Sequence, residues 1–244
     1  RCEMMPLLPQ RFLQFAVVVD LTVEGNPDGA VFIRERLMAA SQIDDGESAM
    51  AEPLSVCLHA TRRAGEMLGK RVLVTGSGPI GTLCVLAARS AGAAEIVVTD
   101  LSDEALAFAS RVGADRVINT GRDGEELSAY AAGKGYFDVL YECSGAAVAL
   151  AGAIPALRPR SVIMQLGLGG DMTLPVQAMT AKELDLRGSF RFHEEFPMAV
   201  RLMQAGMIDV KPLISHTMTL DDAVAAFDLA SDRSRAMKVQ LAFG

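Results

Sequence analysis

From residue 70 onward the hydrophobic and polar positions alternate between two textures. Short runs that stay apolar residue after residue, "RVLVTG", "EIVVTD", "RVINT", "FDVLYECSG", "SVIMQLGL" and "LDLRGSFRF", read as strands. Between them lie alanine-rich segments whose apolar positions recur at helical spacing. In the first, Ile80, Leu83, Cys84, Ala87, Ala88 and Ala91 fall on one face, and Gly92 supplies a stop. In "SDEALAFASRVGA", Ser102 and Asp103 are N-cap candidates and Gly113 ends the run. Unbroken apolar strands are the kind covered on both faces, and strand–helix alternation at this spacing builds parallel crossovers. The pattern predicts an α/β fold, a doubly wound parallel sheet of about six strands over residues 70–192.

The flanks differ in texture. "FLQFAVVVDLTVE", a turn at "GNPDG" and "AVFIRERLM" read as an antiparallel arrangement outside that sheet. After "HEEFPMAVRLMQAG" the chain passes through "VKPLISHTMTL" into a helix, "DDAVAAFDLASD", and closes on "AMKVQLAFG". Both ends are expected to contribute to one smaller, β-rich second domain.

Composition narrows the function. Half of the 244 residues are hydrophobic and 22% are charged, enough for a sizeable core. A net charge of −7 argues against a nucleic-acid surface. No apolar run approaches the ~18 residues of a membrane-spanning helix, and "RCEMMPLLPQRFLQF" lacks the apolar core of a signal peptide, so a cytoplasmic protein is expected. Cys2, Cys57, Cys84 and Cys143 show neither zinc-ribbon nor disulfide spacing and read as buried thiols.

The chemistry centres on "VLVTGSGPIGTLCVLAARSAGAAEIVVTD". Gly76, Gly78 and Gly81 form a G-x-G-x-x-G between a strand and a helix, where backbone N–H groups and the helix dipole receive a pyrophosphate. Asp100 ends the next strand, nineteen residues after Gly81, where an acid meets the adenosine ribose. A carboxylate there repels a 2′-phosphate, and Leu101 and Ser102 supply no arginine, so NAD is expected over NADP. A methyltransferase also joins a glycine turn to an acidic second strand. The later turns at "ECSG" and "QLGLGG" favour a second mononucleotide half instead.

The residues from 51 onward resemble a known family. "AEPLSVCLHATRRAG", "VLVTGSGPIG", "VVTDLS", "ECSG", "LGLGGDMTLP", "ELDLRGSFRF" and "VKPLISHTMTLDDAVAAF" follow one another as in the medium-chain, zinc-type dehydrogenases, most closely the sorbitol and L-idonate 5-dehydrogenase branch. The resemblance implies a Rossmann domain inserted into a GroES-like catalytic domain, here truncated. It implies a remnant of the catalytic domain at 1–59, an NAD-binding domain at 60–193, and a return to the catalytic domain at 194–244. It puts Gly76, Gly78, Pro79, Ile80 and Gly81 at the pyrophosphate, and Asp100 and Leu101 at the ribose. Cys143, Ser144, Leu166, Gly167 and Leu168 fall on the nicotinamide side, with Ser189, Phe190 and Arg191 at the cofactor–substrate junction. Relatives often stack a basic residue of "DLSDEAL" on adenine, and this stretch has none. Relatives also pair through an edge strand, so a homo-oligomer, dimer or tetramer, is expected.

The implied reaction is hydride transfer to NAD from a secondary alcohol of a small polyol or sugar acid, with zinc holding the developing alkoxide. Relatives ligate that zinc through "GICGSD"-like and "GHE"-like segments, which are absent here. Glu52 in "AEPL" is the surviving metal-neighbouring position, and catalytic zinc takes three protein ligands. Glu52 and Arg191 are therefore the catalytic candidates, with an ion pair to Glu194 or Glu195 as the competing role for Arg191. Among the histidines, His59 reads as a satisfied core imidazole, His193 as within reach of substrate, and His216 as structural. Two alternatives stay open: a degenerate chain that binds NAD(H) without catalysis, and a zinc-independent, quinone-reductase-like enzyme.

Overall fold

The computed structural model describes residues 43–242 together with a three-residue strand, β1 (Phe15–Val17). Helix α1 (Asp45–Ala64) opens with a reciprocal cap. The Glu47 N–H donates to Asp44 Oδ1 at 2.8 Å, and the Asp44 N–H donates to Glu47 Oε2 at 3.2 Å. Six strands follow: β2 (Arg71–Thr75), β3 (Glu95–Asp100), β4 (Arg116–Asn119), β5 (Phe137–Glu142), β6 (Leu157–Gln165) and β7 (Asp185–Gly188). They form one all-parallel sheet in the order β4-β3-β2-β5-β6-β7. The direction of growth reverses between β2 and β5, which opens a crevice beyond their carboxyl ends.

The unbroken apolar strands have the predicted cause. Val72, Val74, Ile96, Val98, Tyr141 and Met164 pack on one side with α1, α2 (Pro79–Ser90) and α7 (Glu195–Gln204). Their neighbours Leu73, Val97, Ile118, Leu140 and Ile163 pack on the other with α5 (Ala147–Ala153). Leu83, Cys84, Ala87 and Ala88 of α2 are wholly buried, as the helical spacing predicts. α3 (Asp103–Arg111) is capped by Ser102, whose Oγ accepts from the Ala105 N–H at 3.1 Å. α4 (Gly124–Ala129) and α6 (Val176–Ala181) complete the layers. One buried polar contact ties the sheet to α1: the Tyr141 hydroxyl donates to Thr61 Oγ1 at 2.9 Å.

A second sheet, β1-β9-β8, joins β1 to β8 (Ile214–Thr219) and β9 (Lys238–Ala242), with α8 (Ala223–Ser231) packed on it through Ala226 and Ala230. The two chain ends therefore do share a small β-rich unit. β1 runs parallel to β9 in the register Phe15–Val239, and the antiparallel arrangement expected across "GNPDG" lies outside the described residues. The backbone of "AVFIRERLM" lies outside the described residues. Among the described residues no helix is long and apolar enough to cross a membrane.

Candidate functional site

The glycine turn lies at the crevice, and its three glycines have different reasons. Gly76 is left-handed at φ 89°, and a Cβ there would lie 2.8 Å from the Ser144 nitrogen. A Cβ on Gly81 would lie 1.8 Å from the Gly76 carbonyl oxygen, so this glycine lets α2 sit directly against the turn. A Cβ on Gly78 would meet nothing within 4 Å, so space stays open in front of the helix. Gly78 is the N-cap, Pro79 occupies the first helical turn, and no acidic side chain stands there to compete with an anion. The free backbone donors of that turn belong to Ile80 and Gly81.

Asp100 closes the turn from the side. Its Oδ2 accepts from the Ser77 N–H at 2.6 Å, and its Oδ1 accepts from Leu101 and Ser102 N–H at 2.7 and 2.9 Å. Three backbone donors hold the carboxylate in one orientation, with lone-pair capacity left for hydroxyl donors. Ser77, passed over in the sequence, is wholly buried and donates its hydroxyl to the Ala105 carbonyl at 2.8 Å, locking the turn to α3. Leu101 is mostly exposed beside the carboxylate.

Across the crevice the "ECSG" and "QLGLG" turns interlock around Glu142. This carboxylate has no exposed surface and accepts from Ser144 N–H at 2.9 Å, Gly145 N–H at 3.1 Å and Gln165 Nε2 at 2.6 Å. The hydroxyls of Ser144 and, at 3.4 Å, Thr75 complete the set. A Cβ on Gly167 would meet Glu142 Oε2 at 2.6 Å, and one on Gly169 would meet the Gly145 carbonyl at 1.7 Å. Sequence reasoning singled out Cys143, Ser144, Leu166, Gly167 and Leu168 but missed Glu142. A charged residue ending an apolar strand directly before a glycine turn was the available signal.

The thiols are buried or nearly so. Cys57 Sγ donates to the Ile80 carbonyl at 3.4 Å, and the sulfurs of Cys143 and Cys84 lie 3.9 Å apart. Burial raises Cys57 and Cys84, and the neighbouring Cys84 together with burial raises Cys143. Cys2 lies outside the described residues.

Just after β7, the Ser189 N–H donates to the Gln165 carbonyl at 2.9 Å, while its buried hydroxyl has no protein partner among the described residues. Phe190 is two-thirds exposed, and Arg191, left-handed at φ 57°, sits over its ring at 5.5 Å. Glu52 is exposed on α1, yet loss of solvent on its protein-facing side raises its carboxyl, and Lys238 and Arg191 oppose that rise. Lys238 is a buried amine that burial lowers to about 8, with the Glu52 charge opposing the fall. The ion pair considered between Arg191 and the following glutamates goes to another residue. Arg62 bridges Glu194 and Glu195, each at 2.8 Å. Glu195 also accepts from His59 Nδ1 at 3.2 Å and from the His193 N–H at 2.8 Å, which ties the 189–193 loop to α1. His59 and His193 line an open cleft of about 600 Å³ with Arg62, Arg63, Glu194 and Glu195, and His59 is therefore a paired cleft residue. His216 lies exposed in β8 beside Ser215.

Among the described residues no three His, Cys, Asp or Glu side chains converge as a metal would require, so zinc does not fit the side chains assembled around Glu52.

Comparison with known proteins agrees with this architecture. The sequence profile of the family described as zinc-binding dehydrogenase matches residues 79–205. L-idonate 5-dehydrogenase (NAD(P)(+)) of Escherichia coli (strain K12) is 40% identical over 220 residues, covering 87% of this chain and 64% of that protein. Sorbitol dehydrogenase of Ovis aries is 38% identical over 199 residues, covering 80% and 56%. The crystal structure of the Escherichia coli L-idonate 5-dehydrogenase superposes with a TM-score of 0.80 at 42% identity, over 83% of this chain and 58% of that one. The chain spans less than two thirds of the length of these curated relatives. With more than half of its residues inside the family profile and the fold of an L-idonate 5-dehydrogenase, the chain belongs to the zinc-binding, medium-chain dehydrogenases.

Proposed function

We propose that this chain is an NAD-dependent oxidoreductase of the polyol and sugar-acid dehydrogenase type. Bound NAD would supply the acceptor for a hydride leaving the carbinol carbon of a small secondary alcohol. The observation that carries the reading is the Asp100 carboxylate, fixed by three backbone N–H groups beside an open glycine turn. In this reading Gly76, Gly78, Pro79, Ile80 and Gly81 approach the pyrophosphate, and Asp100 and Leu101 meet the adenosine ribose. Cys143, Ser144 and residues 166–168 flank the nicotinamide. The orphaned Ser189 hydroxyl supports a polar ligand group at the junction, because a buried hydroxyl without a partner is costly. Phe190 and Arg191 complete that junction, and Glu52 and Arg191 orient substrate hydroxyls. Asp100 favours NAD over NADP by repulsion of a 2′-phosphate.

The relatives' names, L-idonate 5-dehydrogenase and sorbitol dehydrogenase, support a polyol or sugar acid as substrate. The shared sheet of the two chain ends supports a division into a catalytic-domain remnant at 1–59, a cofactor domain at 60–193 and a returning segment at 194–244. The open edge of β7 supports a homo-oligomer, and the free thiols suit a reducing cytoplasm.

The test is NADH formation from NAD⁺ with sorbitol or L-idonate, run beside a binding titration. Turnover that falls in Glu52→Gln supports the reading. Binding without turnover of either alcohol favours the second reading, an NAD(H)-binding chain without catalysis. Absence of NADH binding overturns both.

A further inference from the structure

Glu142 is unlike Glu195, the buried carboxylate of the His59 cleft. Glu195 is paired with His59 and Arg62, whereas Glu142 is wholly buried and has no basic side chain among its partners in the described residues. Its fixed partners, the N–H groups of Ser144 and Gly145, can only donate. Backbone donors of this kind suit a carboxylate as acceptor. A negative charge is therefore lodged under the 143–145 and 165–167 turns, with Gly167 packed directly over Oε2.

We propose that Glu142 sets the preference of this site for oxidised over reduced dinucleotide, by its charge and without touching the cofactor. The inference rests on the reading above, in which these turns flank the nicotinamide. The oxidised ring carries a positive charge and the reduced ring none, while the rest of the molecule is the same. A fixed carboxylate in a poorly screened setting lowers the energy of the first and leaves the second nearly unchanged. The site then holds NAD⁺ more firmly relative to NADH, which favours release of the reduced product.

The test is calorimetric titration of the full chain and two variants with NAD⁺, NADH and ADP-ribose, which lacks the ring. Glu142→Gln removes the charge and keeps the shape. Gln165→Lys leaves Glu142 in place and sets an ammonium against it, so the comparison survives if the first variant fails to fold. The expected result is a fall of roughly tenfold in the ratio of NAD⁺ to NADH affinity in Glu142→Gln. Gln165→Lys should shift in the same direction, and ADP-ribose should bind either folded variant nearly as before. An equal loss of NAD⁺ and NADH affinity would show that Glu142 is only structural and overturn the proposal. If the unmutated chain binds neither nicotinamide nucleotide, the cofactor reading itself fails, which is a separate and earlier outcome.

Discussion

Gly78 and Gly81 belong to the same motif, yet the structure assigns them opposite consequences. A Cβ on Gly78 meets nothing within 4 Å, and its φ of −73° and ψ of −172° suit any residue. In Gly78→Val the poorer N-cap costs about 1 kcal/mol, and the stiffer unfolded chain offsets roughly 0.4–1 kcal/mol of that. The melting temperature should move by no more than about 3 °C. The added methyls would occupy the space through which a pyrophosphate reaches the Ile80 and Gly81 N–H groups. Losing two charge-assisted hydrogen bonds at ~1.5 kcal/mol each weakens NADH by on the order of 100-fold. Gly81→Ala behaves differently, because its Cβ would stand 1.8 Å from the Gly76 carbonyl oxygen and α2 must retreat. Overpacking against backbone costs about 3 kcal/mol or more, a drop of roughly 6–12 °C. Thermal melts and NADH titrations of both variants decide the matter. Native NADH affinity in a folded Gly78→Val, or an unchanged melt in Gly81→Ala, would refute this account of the turn.

Asp100→Ala should weaken NADH about tenfold and narrow the gap to NADPH, because it removes both the ribose acceptor and the repulsion of a 2′-phosphate; competition titration checks it. At Glu195, burial opposes ionisation but the His193 N–H and the His59 side chain outweigh it, so the carboxyl lies below its ordinary value of 4.5. Its contribution to stability is therefore complete above that value and lost as pH falls through the lower folded value. Glu195→Gln should be less stable by about 1–3 kcal/mol at pH 7 and lose less between pH 5 and pH 3, as denaturant melts across pH would read. Cys57 and Cys84 should resist a thiol reagent in the native protein and react on unfolding, since burial keeps both protonated and out of reach; timed labelling followed by mass spectrometry checks it.

The central sheet was legible in the sequence because its inner strands β2 and β3 are buried and apolar through their middles, whereas the edge strand β7 is largely exposed. Its boundaries were legible because Gly92 and Gly113 adopt the left-handed turns that their positions suggest. The glycine turn stood out because Gly76 must be left-handed and Gly81 must let α2 approach the turn, which constrains residue type at fixed spacing. What stayed hidden depends on neighbours distant in sequence. Glu142 gains its meaning only when Thr75 and Gln165 arrive from β2 and β6, and Glu195 only when His59 and Arg62 arrive from α1. Lys238 likewise comes under the charge of Glu52 only through the fold. The parallel pairing of β1 with β9 was not legible because a three-residue strand carries no mark of its partner.

Side-by-side calorimetry of the unmutated chain with NADH and NADPH tests the central claim most directly. The account predicts one saturable NADH site per chain, with NADPH at least about tenfold weaker because Asp100 faces the added phosphate. Equal affinity for the two, or heat-silent titrations that leave the melt unchanged with either, would contradict it.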